Sequence, residues 1–298
     1  MDGHGRPALN DVDTPDCERF DVAWPAQPIA TWSSLAYVVA GVVIVWWAMA
    51  GRWSRWFAAF GAVVVLEGAG SVAFHGEGGD VAQVLHDAPL VAMLGFLVGW
   101  HAARVAQPGD LHRLGRAATL GLVVGAGAGA VAAGVGATAP VSGALVATVA
   151  GLEVLARRRG VTALWSGGLL VLVALAAAAW WLGSTDGPLC DPGSPVQLHG
   201  AWHVLTALIA VTWVERASIA VDPLGAPRPW RSAIDVFVAA VARGLSYAFY
   251  RSVDVVGRER IPWGRPMLVV ANHANGFVDP VLVASALGRL PRFMAKAA

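Results

Sequence analysis

The sequence predicts an all-α membrane protein, a bundle of seven transmembrane helices, on three observations. Hydrophobic residues make up 56% of the 298-residue chain and charged residues only 14%, against roughly 25% charged in an average soluble domain. The mean hydropathy is +0.58. The apolar residues gather into stretches near the length that crosses a ~30 Å hydrocarbon core. Inside those stretches a few ionisable residues recur at helical spacing, where such groups are costly and rarely accidental. The net charge is +1, and Lys296 is the single lysine, so no basic surface for nucleic acid is present.

In chain order the stretches fall at roughly 32–50, 55–75, 86–106, 116–137, 141–156, 161–183 and 197–215. The residues before them are acidic and lack the apolar core of a cleaved signal peptide. The fourth stretch (GLVVGAGAGAVAAGVGA) has few bulky residues, which suits close helix packing more than lipid contact. The fifth is the shortest. Trp32, Trp46, Trp47, Trp53, Trp56, Trp100, Trp180, Trp181 and Trp213 lie near stretch ends, the places of an aromatic belt.

Arginines follow alternate stretches: Arg52 and Arg55, then Arg104, Arg113 and Arg116, then Arg157 to Arg159, then Arg216, Arg228 and Arg231. By the positive-inside rule those loops face the cytoplasm, so a multi-pass protein of the cell membrane is expected, N-terminus outside and C-terminus inside. Cys17 and Cys190 then share the oxidising side, and a disulfide between them is the natural reading.

This topology gathers the unusual residues near the outer leaflet: Ser71 and His75 end the second stretch, Asp87 begins the third, and His199 and His203 begin the seventh. Ser71/His75 and His199/His203 are spaced i,i+4, so each pair shares one helix face. Three neutral imidazoles with an open position form the ligand set of a catalytic zinc site, in which bound water is acidified. Alternatives stand beside some of these readings. Ser71 could bond a backbone carbonyl one turn earlier, and Glu67, on the same stripe, could orient a ligand, relay protons, or pack in protonated form. Glu153 precedes the arginine run and is expected to pair with it. His101 and His112 belong to no such arrangement of histidines with a carboxylate and read as interfacial.

CE at 17–18, PIATWSSLAYVVAG at 28–41, GAGSVAFHG at 68–76, HDAP at 86–89 and HGAWHVLTA at 199–207 together resemble the alkaline ceramidase family of seven-helix membrane hydrolases. The resemblance implies a zinc-dependent amidase acting on a membrane lipid, ceramide or another N-acyl lipid, with His75, His199 and His203 on the metal and Ser71 and Asp87 beside it. Asp87 would serve as general base and Ser71 as oxyanion donor. Family members also carry calcium near the N-terminus. Glu18 matches that pattern, whereas Asp16 stands where tryptophan is usual and Thr31 where asparagine is common. The same five-residue pattern resembles the adiponectin/progestin receptor group as the alternative, although those receptors imply the opposite orientation.

After residues 1–222 the chain changes character. A Pro/Gly-rich linker is expected at 223–232, and 233–298 carries NHANGFVDP behind a hydrophobic run. That segment resembles the truncated start of an α/β glycerolipid acyltransferase of the lysophosphatidate or glycerol-3-phosphate type. The resemblance implies His273 as general base, Asp279 as its orienting partner and acyl-CoA or acyl-carrier protein as donor, with the family's later phosphate-binding blocks expected to be missing.

Overall fold

In a computed structural model of the chain, the described residues are 16–21, 23–221, 241–244, 246, 250, 254, 256–257, 269–270 and 278–287. The chain divides into two compact units, Met1–Pro223 and Leu224–Ala298. The described part of the first is helical: α1 (Pro28–Ser33), α2 (Leu35–Met49), α3 (Trp56–Gly76), α4 (Asp80–Ala106), α5 (Leu111–Gly134), α6 (Thr138–Arg158), α7 (Gly167–Leu182) and α8 (Leu198–Val221). In the second unit the described residues include α9 (Val278–Leu287).

Among the described residues, six spans are long and apolar enough to cross a membrane: Pro28–Met49, which joins α1 and α2, and α3, α4, α5, α6 and α8. This is a multi-pass membrane protein. The fifth stretch, the shortest in the sequence, forms a helix of 21 residues. The sixth is shorter than its hydropathy implies, because α7 has 16 residues and rises only about 24 Å. The lost residues belong to a pinned loop. Leu164 and Trp165 donate their backbone N–H groups to Glu153 Oε1 at 2.9 and 3.2 Å, and Arg216 holds the Leu164 and Ala163 carbonyls at 3.2 and 3.3 Å. Ser166 then caps the helix by accepting from the Leu169 N–H.

The Gly/Ala-rich α5 packs closely on α4. A Cβ placed on Gly95 would lie 2.2 Å from the Gly121 carbonyl oxygen, so the two backbones touch where a side chain would part them. Part of the core is aromatic: Phe57, Phe60, Phe96, Trp100 and Trp213 are all buried, with Phe57 and Trp100 centroids 4.8 Å apart. Trp100 and Trp213 therefore leave the expected belt, whereas Trp46 and Trp181 are exposed. A residue near a span end can face lipid or a neighbouring helix, and only packing chooses.

The C-terminal parts of α4, α6 and α8 share a buried ionic knot. Glu153 Oε2 lies 3.3 Å from Arg104 and 3.4 Å from His101 Nδ1, and the Trp213 indole donates to His101 Nε2 at 3.2 Å. Arg104 also donates to the Thr162 carbonyl. The Glu153–Arg157 pair expected from i,i+4 spacing is present at 3.5 Å. His101, expected at the interface, is instead fully buried.

Within the first unit, residues 16–21 form a non-helical strap. Cys17 is disulfide-bonded to Cys190, its N–H donates to the Gly183 carbonyl at 3.3 Å, and Arg19 donates to Pro192 at 3.3 Å. Glu18 caps α1 from outside the helix: its two carboxylate oxygens accept from the Ile29 and Ala30 N–H groups, each at 2.8 Å. That satisfies two of the donors a helix start leaves open.

Candidate metal centre

Two helices bring three histidines to one point. His75 sits in the last turn of α3, and His199 and His203 lie one turn apart at the start of α8. The His75 ring centroid is 5.2 Å from each of the others, which are 4.6 Å apart. One ligand atom from each residue lies within 4.8 Å of the other two, and among the described residues this is the group that could hold a metal ion. His75 and His203 are buried, while the His199 side chain keeps 12% exposure.

Oxygen atoms face Nδ1 of every ring. His75 Nδ1 pairs with Gln27 Oε1 at 2.8 Å, with Asp16 Oδ2 3.2 Å away. His199 Nδ1 is 3.3 Å from Asp16 Oδ1. His203 Nδ1 is 2.9 Å from Ser33 Oγ, whose proton goes to the Ala30 carbonyl, so Ser33 accepts. With each proton held on Nδ1, the lone pairs are on Nε2, the arrangement that metal-binding histidines take from their outer partners. His75 Nε2 is buried without a hydrogen-bond partner, an arrangement that in a protein interior is costly unless a cation fills it. Three neutral nitrogens around such an atom fit a divalent metal ion.

Asp16 is deeply buried, and burial raises its carboxyl pKa. The His75 hydrogen bond and the nearby imidazoles of His199, His75 and His86 outweigh that effect, and the net direction is down.

Ser71 is fully buried and bonds Ser34 Oγ at 2.7 Å. Ser34 also donates to the Ala30 carbonyl at 2.7 Å, which makes Ser71 the donor of the pair. Ser71 thus pairs with a serine of the adjacent α1–α2 segment. Asp87 is buried in a second polar chain: His86 Nδ1 lies 2.8 Å from its Oδ1, and Thr138 donates to its Oδ2 at 2.6 Å. His86 Nε2 faces Glu67 Oε1 at 3.5 Å, and the His86 ring is 6.1 Å from that of His75. Glu67 therefore pairs with His86, not with a histidine of the cluster. Its neighbour Gly70 makes this possible, because a Cβ there would lie 1.9 Å from the Leu85 carbonyl oxygen. Only a bare backbone lets α4 come so close to α3.

The expected residues Ser71, His75, Asp87, His199 and His203 all fall in this region. Sequence reasoning assigned no role at this site to Asp16, Gln27, Ser33, Ser34, His86 and Thr138. His86 carried a signal, since it adjoins Asp87 and lies within the apolar third stretch. Glu18, the candidate for calcium, spends both carboxylate oxygens on the α1 cap and is not part of the metal-capable group. In the second unit Asp279 is in the first turn of α9, and His273 lies outside the described residues. No protein-family profile, curated protein or solved structure matches the chain.

Proposed function

We propose that the chain is a zinc-dependent membrane hydrolase that cleaves the amide bond of a lipid, ceramide or another N-acyl lipid, releasing a fatty acid and an amine. The observation that carries this reading is the cluster itself: three histidines with Nδ1 turned to oxygen partners and a buried, unpartnered Nε2 on His75. His75, His199 and His203 would hold the ion. When bound, zinc supplies Lewis-acid polarisation of a carbonyl and acidifies water at its open position.

The chain's own groups divide the remaining work. Water adds to the amide carbon, Asp87 takes up its proton, and the same proton passes to nitrogen as the carbon–nitrogen bond breaks. His86 and Thr138, bonded to the two oxygens of Asp87, hold that carboxylate in place. Ser71 turns its hydroxyl from Ser34 to the oxygen that gains charge. The proposed orientation places this chemistry at the outer leaflet of the cell membrane, with lipid entering from the bilayer. The segment after about residue 232 is proposed, on its resemblance, as the start of a glycerolipid acyltransferase unit using His273 and Asp279.

The test is zinc content and amide hydrolysis measured together on protein purified in detergent. Wild type should carry one zinc per chain, and His203→Ala should lose both metal and turnover. Full turnover after chelation to metal-free protein would overturn the reading.

A further inference from the structure

Asp16 occupies a position for which hydropathy and helical spacing provide no reason. It is outside every helix, one residue before Cys17, yet its side chain is 1% exposed and its two oxygens lie 3.2 Å from His75 Nδ1 and 3.3 Å from His199 Nδ1. One carboxylate thus spans two histidines that come from different helices. The strap holds it there through the disulfide, through the Cys17 N–H to Gly183 and through Thr185, which donates to the Asp16 carbonyl at 3.2 Å.

We propose that Asp16 is a positioning residue of the histidine cluster, clamped by the Cys17–Cys190 bond, and that metal retention depends on it. This rests on the metal reading above. Carboxylate oxygens only accept, so Oδ1 favours a proton on His199 Nδ1, while the negative charge at Oδ2 faces the His75 Nδ1 proton that Gln27 Oε1 accepts; both Nε2 lone pairs then stay on the metal side. An amide in its place accepts at one atom only. Its NH₂ would face the other imidazole donor to donor, forcing that ring to move its proton to Nε2, where the ion must sit. His75 retains Gln27 Oε1 at 2.8 Å, so His199 is the ring that Asp16→Asn disturbs first.

Three measurements test this. Zinc affinity, by competition with a chelator in detergent, should fall about 10–100-fold in Asp16→Asn, the usual loss when an outer partner of a metal ligand is changed. The exposed Asp21→Asn should match wild type. The visible spectrum of the cobalt-loaded protein should change in Asp16→Asn, since it follows ligand geometry. Zinc release should be faster in Cys17→Ser/Cys190→Ser, where Asp16 is intact but its clamp is gone. Should Asp16→Asn fail to fold, ¹⁵N-histidine NMR of metal-free wild type decides: His199, assigned with His199→Ala, should carry its proton on Nδ1. Wild-type protein that binds no zinc refutes the metal reading. Wild type that binds zinc while Asp16→Asn binds equally well, or a His199 proton on Nε2, refutes the role of Asp16. An unchanged release rate in the double serine variant refutes the clamp.

Discussion

Gly70→Ala is expected to separate metal binding from turnover. The new methyl carbon would start 1.9 Å from the Leu85 carbonyl oxygen, 2.4 Å from its carbon and 2.8 Å from the His86 nitrogen. Ordinary contact begins at 3.4 Å, so α3 and α4 must part by about 1.5 Å, an overpacking cost of roughly 1–3 kcal/mol. The obstacle is backbone, which cannot swing aside as a long side chain would. The displacement falls between Ser71 and His75 on one helix and His86 and Asp87 on the other. Misplacing reacting groups by about 1 Å can cost on the order of 10²-fold in rate. All three histidines, in contrast, lie on α3 and α8, so zinc content should be retained. The assay is unfolding in detergent, zinc content and amide hydrolysis on the same preparation. Gly127→Ala is the control: it has no atom within 4 Å, and alanine there should stabilise the helix by roughly 0.5–1 kcal/mol. Wild-type stability and turnover in Gly70→Ala would refute the close approach and the placement of Asp87 derived from it.

His86→Ala should lower turnover roughly tenfold or more by releasing the Asp87 carboxylate while leaving zinc content unchanged; parallel loss of metal would make His86 part of the metal site. Glu153→Ala should destabilise the first unit by about 3–5 kcal/mol, because it leaves Arg104 buried without its counter-charge, and a change below about 1 kcal/mol on unfolding in detergent would mean that Arg104 finds water instead. Cys17 and Cys190 should resist alkylation in unreduced native membranes and label only after reduction, and labelling of either thiol beforehand would contradict the bond.

By itself the sequence determines what depends on local composition and period. Long apolar runs must be helical in a bilayer, since every backbone group needs an internal partner, and i,i+4 spacing puts His199 and His203 on one face whatever the helix meets. The five chemically conspicuous residues were legible for the same reason. The length of α7 was not, because Glu153 and Arg216 draw residues 161–165 into a loop by contacts that hydropathy does not record. The places of Trp100 and Trp213 were hidden in the same way, since helix rotation decides whether a residue near a span end meets lipid or core. Asp16 was the least visible. A strap without secondary structure has no period to reveal its inward face. Only a disulfide across the fold, the Cys17 N–H and Thr185 hydroxyl contacts, and the meeting of the His75 and His199 rings bring its carboxylate between two histidines.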